Sequence, residues 1–159
     1  MKKRPKIARG FTLIEVLVVI GIIAILASVV LVAVNPARQF KLARDSQRTS
    51  NVNAILNAIH ENMAEHKGSF DCEGQPHPLP TGGFMVVRHV DGDPSYAADI
   101  ASCLVPDYIS ALPFDPASTT AHWDGIDSYD TAYWIYQDSN GRITASSTGE
   151  ITPSISVTR

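Results

Sequence analysis

This sequence predicts an α+β fold, a long N-terminal helix packed on a small antiparallel sheet, and three observations carry that prediction. Residues Phe11 to Val34 carry no charge except Glu15, a length that suits a helix crossing a bilayer. Between Ala37 and His66 apolar residues recur at three- and four-residue intervals, which makes one apolar face on a helix. Near the C-terminus Tyr133-Trp134-Ile135-Tyr136 and Arg142-Ile143-Thr144-Ala145 flank Asp138-Ser139-Asn140-Gly141, the pattern of aromatic and β-branched strands about a turn.

The elements follow in order. Residues 1–10 form a basic leader, with Lys2, Lys3, Arg4, Lys6 and Arg9 ahead of Gly10. Residues 11–35 form a helix that is apolar on every side and packs only in lipid or among copies of itself. Within it Gly21 and Ser28 permit close helix approach. An ionised Glu15 in such a span costs about 2.5 to 3.5 kcal/mol at mid-depth, and the sequence offers it no cationic side chain nearby. A cut between Gly10 and Phe11 would supply one, because the new α-amine lies one helical turn from Glu15. An ordinary secretory signal has a shorter apolar core and a small-residue cleavage site after it; here the glycine precedes the core.

Asn35-Pro36 interrupts or kinks the helix, since proline cannot donate to the carbonyl of Val32. Residues 36–66 form its amphipathic second half, whose stripe is Val52, Ile55, Leu56, Ile59 and Met63. Arg38, Lys41, Arg44 and Arg48 read as a solvated or headgroup-facing surface. Lys67-Gly68 stops the helix, and residues 67–159 form the head. There Asp71 to Pro80 reads as a loop, Phe84 to Val90 as a strand closed by Asp91-Gly92-Asp93-Pro94, and Ser95 to Leu104 as one or two helical turns.

The chain has 13 Lys and Arg against 16 Asp and Glu, a formal net charge of −3. The five basic residues of the leader mask a clearly acidic remainder, which argues against nucleic acid as a partner of the head. Neither a nucleophile motif nor a phosphate-binding glycine loop is present, which argues against an enzyme.

Gly10-Phe11-Thr12-Leu13-Ile14-Glu15, behind a short basic leader and ahead of an unbroken apolar run, closely resembles the cleavage and assembly segment of type IV pilins and of type II secretion pseudopilins. The resemblance implies a pilin-like fold, cleavage by prepilin peptidase after Gly10, N-methylation of Phe11, and docking of subunits through Glu15. It implies a single-pass membrane precursor with its leader cytoplasmic and its head outside, then a cell-surface or periplasmic filament. The implied partners are the peptidase, an inner-membrane assembly platform, membrane lipid before assembly, and copies of this or related subunits. A monomeric extracytoplasmic binding or enzymatic domain, using the helix only as a signal anchor, is the alternative.

Leu112-Pro113-Phe114-Asp115-Pro116, followed by the Tyr133 strand and Gly141 turn, is similar to an element of major pseudopilins. The family's Asp-Pro-Trp-Gly continuation is replaced by Ala117 to Trp123. Through this resemblance Asp124, Asp127 and Asp130 invite calcium, the only cofactor expected, since that ion takes several carboxylate and carbonyl oxygens. On the implied topology Cys72 and Cys103 lie outside the membrane, where pairing competes with two free thiols. A zinc set of Cys72, His77, His89 and Cys103 matches no closed spacing pattern.

Overall fold

A computed structural model describes residues 10–89 and 97–159. The leader before Gly10, Val90, the turn expected at Asp91 to Pro94, and Ser95 and Tyr96 lie outside the described residues. The chain divides after Gln39 into two compact units.

In the first unit, helix α1 spans Leu13–Val34, and none of its side chains is buried. Its end is set by Asn35, which takes the left-handed conformation at φ 45°, one that asparagine tolerates better than most residues. The Asn35 carbonyl then accepts the Arg38 and Gln39 amides, and its side-chain oxygen accepts the Arg38 amide at 3.3 Å. Pro36 occupies the first position of helix α2, Pro36–Glu65, where its missing N–H costs nothing. The interruption expected here is thus a full stop and a restart.

In the second unit the rest of α2 supplies Val52, Ile55, Leu56, Ala58 and Ile59 to the core, and Met63 packs partly buried beside them. The helix stops at Lys67 and Gly68, both at positive φ, with the Gly68 amide returned to the Met63 carbonyl. Two short strands follow, β1 (Asp71–Cys72) and β2 (Gln75–Pro76), paired with each other. They lie where the sequence reads as a loop. Next come β3 (Met85–Arg88), β4 (Ala97–Ala98) and a short helix α3 (Ala101–Leu104), then β5 (His122–Gly125), β6 (Ser128–Gln137), β7 (Ile143–Ser147) and β8 (Ile155–Thr158).

Among the described residues the larger sheet runs β4-β3-β6-β7-β8, with β5 paired to the start of β6. The expected hairpin is β6 with β7, in register from Trp134↔Ser146 to Gln137↔Ile143. The sheet departs from the expected all-antiparallel arrangement in one place, where β4 pairs parallel to β3. Alternate residues of β6, Tyr129, Thr131, Tyr133 and Ile135, are buried, the period of a strand with one covered face. With Val87, Ile143 and Ala145 they complete one core with the α2 stripe.

The loop after β7 passes very close to α2. A Cβ added at Gly149 would sit 2.2 Å from the Thr152 carbonyl oxygen and 3.0 Å from an Asp45 carboxylate oxygen. Gly149→Ala is expected to displace the loop and destabilise the head by about 1–3 kcal/mol. Urea unfolding of the two proteins would check this, and an unchanged midpoint would mean that the loop has room to move.

Candidate processing and assembly site

Gly10 and Phe11 are exposed and precede the helix. The helix is held off the bond between them by its cap. Thr12 is the N-cap of α1, and its hydroxyl accepts the Glu15 amide at 3.3 Å. One Glu15 carboxylate oxygen accepts in return from the Thr12 amide and the Thr12 hydroxyl, each at 2.8 Å. This capping box satisfies donors that the first turn would otherwise leave unpaired. Glu15 therefore has local hydrogen-bond partners that a search for cations overlooks. The signal was present in the sequence, as Thr-x-x-Glu directly ahead of an apolar run.

Residues 5–31 match the family model for the prokaryotic N-terminal methylation motif. The chain carries the type IV pilin and pseudopilin signature. No curated protein and no solved structure matches the chain. The methylation motif thus covers the leader from Pro5 onward, Gly10, Phe11, the Thr12–Glu15 box and most of α1.

Downstream of the methylation motif, the head contains a charged cluster that sequence reasoning missed. Arg48 is buried on α2. Its guanidinium donates to Asp115 through Nε at 2.7 Å and Nη2 at 2.9 Å, and to Asp45 through Nη1 at 2.7 Å. The two bonds to Asp115 use the planar fork of arginine. Asp45 also accepts the amides of Glu150, Ile151 and Thr152 at 2.8, 2.8 and 3.0 Å. Asp115 also accepts the amides of Ala117 and Ser118.

Burial works against ionising Asp45, but the Glu150, Thr152 and Ile151 amides together with Arg48 outweigh it and hold the carboxyl well below the usual range. Burial likewise opposes ionisation of Asp115, and Arg48 with the Ala117 and Ser118 amides lowers it overall. Hydrogen bonding to Asp115 raises Arg48 in spite of burial, with further help from Asp45. The basic surface expected of Arg38, Lys41, Arg44 and Arg48 is therefore corrected at Arg48, which is buried. Arg44 stays at the surface, part-exposed, with Nη2 2.7 Å from Glu150.

Beside this cluster, Asn51 Nδ2 donates to the Tyr133 hydroxyl at 2.9 Å and to the Phe114 carbonyl at 3.2 Å. The Leu112 to Pro116 element thus earns its place in the sequence by docking on α2. Farther along, buried Asn62 donates to the carbonyls of Asp71 and Cys103 at 2.9 and 3.1 Å and accepts the Asp71 amide at 2.9 Å.

Cys72 and Cys103 form a disulfide. Their sulfurs and a His77 ring nitrogen lie within 4.8 Å of one another, but with the sulfurs joined no thiolate remains to hold a metal. His89 sits apart from this group, with Nδ1 2.9 Å from Asp99. Asp124 is on β5, Asp127 lies between β5 and β6, and Asp130 is on β6 with a carboxylate oxygen accepting the Ala132 amide at 2.8 Å. Among the described residues these three carboxylates are not gathered into one ligand set.

Proposed function

We propose that this chain is the precursor of a structural subunit of a type IV pilus or pseudopilus filament, cut after Gly10, methylated at the Phe11 amine, and assembled through α1. The observation that carries this reading is the methylation motif at residues 5–31. Two features support it. Helix α1 is 22 residues long with mean hydropathy 3.3 and no buried side chain, so its apolar surface calls for lipid or other helices. The capping box also survives cleavage, because Thr12 stays in the mature chain and draws the Glu15 carboxylate back to the residue next to Phe11, which would carry the new amine. In a stack of helices that carboxylate is oriented in advance for its own or a neighbour's amine. The role is structural, and no catalytic step is assigned to the head.

Intact mass and N-terminal sequencing of protein from native membranes and from sheared extracellular material test the proposal. A chain beginning at Phe11, with or without one added methyl, is the expected result. A membrane chain still beginning at Met1 would leave Glu15 without an amine and favour the tethered ectodomain.

Glu15→Val is expected to be processed but to assemble poorly, with sheared filament yield at least tenfold below wild type. Thr12→Val should fall between the two, because it removes the hydroxyl of the box and leaves the carboxylate. Wild-type yield from Glu15→Val would exclude the docking role.

A further inference from the structure

Four cations follow the apolar helix, and they are used differently. Arg44 is bound to Glu150, and Arg48 is enclosed by Asp45 and Asp115. Arg38 and Lys41 are exposed, and no carboxylate among the described residues forms an ion pair with either. Between them Phe40 is 65% exposed, although it is a large apolar side chain outside α1. All three lie in the first two turns of α2.

Their position along the chain is informative. Helix α1 has 22 residues, or about 33 Å at 1.5 Å per residue, close to the roughly 30 Å hydrocarbon thickness of a bilayer. Arg38 follows Val34 by about one turn and Lys41 by about two, which places them at headgroup depth when α1 spans the membrane. Spaced three apart on a helix, the two cations are neighbours. Their long stems let the charges reach phosphate while the chain stays at the boundary, and the Phe40 ring has an apolar medium to enter on the same side of the interface.

We infer that Arg38, Phe40 and Lys41 form a seat for anionic phospholipid headgroups, occupied while the precursor is in the membrane. The guanidinium takes phosphate oxygens through two parallel N–H donors, and the ammonium adds a compact second charge. This inference rests on the membrane-inserted precursor proposed above. Charge complementarity favours lipid as the occupant, since Asp45, the carboxylate nearest in sequence, is already engaged by Arg48 and by backbone amides.

The test uses the full chain reconstituted in bilayer nanodiscs containing phosphatidylcholine and phosphatidylglycerol, followed by native mass spectrometry of the lipids it retains. Wild type should retain phosphatidylglycerol preferentially. Arg38→Gln with Lys41→Gln should lower that retention about 25-fold, on the order of fivefold for each cation. The leader contributes equally to both proteins. Arg142→Gln, the loss of one charge at an exposed site in the head, should change nothing. Equal retention by the double variant would overturn the inference, as would an equal loss from Arg142→Gln. So would a double variant that keeps its lipid but no longer forms filaments, which would assign the two cations to a second copy of the chain. Resistance to carbonate extraction separates the two levels: a chain washed off the membrane overturns the inserted precursor itself, whereas an inserted chain without lipid preference overturns only the headgroup seat.

Discussion

Arg48→Met should destabilise the head by about 3–5 kcal/mol, because it leaves two buried carboxylates without their shared cation. The side chains involved are nearly closed to solvent, at 5% exposure for Arg48, 7% for Asp45 and 8% for Asp115. Screening by water therefore does little to soften the loss. In urea the midpoint should fall by more than about 1 M. Arg48→Lys should recover only part of it, since an ammonium cannot reproduce the paired bonds to Asp115.

The same cluster sets an acid limit. Asp45 and Asp115 are both depressed in the folded state, whereas in the unfolded chain an aspartate titrates near 3.9. Their stabilisation is complete above that value and is lost progressively as pH falls from about 4 through the folded-state values. Arg48→Met should flatten this acid limb, because the unpaired carboxylates then gain from being protonated. A variant as stable as wild type at neutral pH, with an unchanged acid limb, would remove the cluster from any account of what holds the head together.

The second large effect should come from the disulfide. Cys72 and Cys103 are 31 residues apart, and in the chain-entropy model closing a loop of that size contributes about 3–4 kcal/mol. Reduction, or Cys72→Ser with Cys103→Ser, should lower the thermal midpoint accordingly while leaving the acid limb in place, since the bond acts mainly on the unfolded ensemble. The oxidised protein should also resist alkylation until it is denatured and reduced. Identical melting under oxidising and reducing conditions would contradict the pairing.

Much of the fold was legible because it rests on local patterns. The amphipathic stripe of α2, the stop at Lys67-Gly68 and the β6–β7 hairpin each follow from periodicity or turn chemistry. β5 and β8 did not stand out, because their four residues lie among Asp, Gly, Ser, Thr and Pro without the apolar run that marks β3 within Phe84 to Val90, and β1 and β2 are shorter still. The parallel β3–β4 pairing has no local signature.

The charged cluster is more instructive, because its signal was present and was read too narrowly. Asp45, Arg48, Val52, Ile55, Ile59 and Asn62 continue one series of three- and four-residue steps, and all six are buried. A search for apolar residues stops at Val52, although the helix face goes on in both directions. Glu15 was treated in a similar way. A missing cation drew attention to a future amine, while the Thr12 hydroxyl and amide already within hydrogen-bond reach went unnoticed.

The bonds from Asp45 to the amides of Glu150, Ile151 and Thr152 span 105, 106 and 107 positions along the chain. Contacts of that separation form late, since a long stretch must be ordered before they give anything back. If the chain is threaded across a membrane from its N-terminal end, the α2 carboxylate emerges early and waits for nearly the whole of the remaining polypeptide. Until the segment after β7 arrives, Arg48 and Asp45 are solvated ions on an unfinished surface. Completion of the head is thus timed by the last part of the chain to be delivered, and a subunit stalled in transit would present an open helix face for chaperones or proteases to recognise.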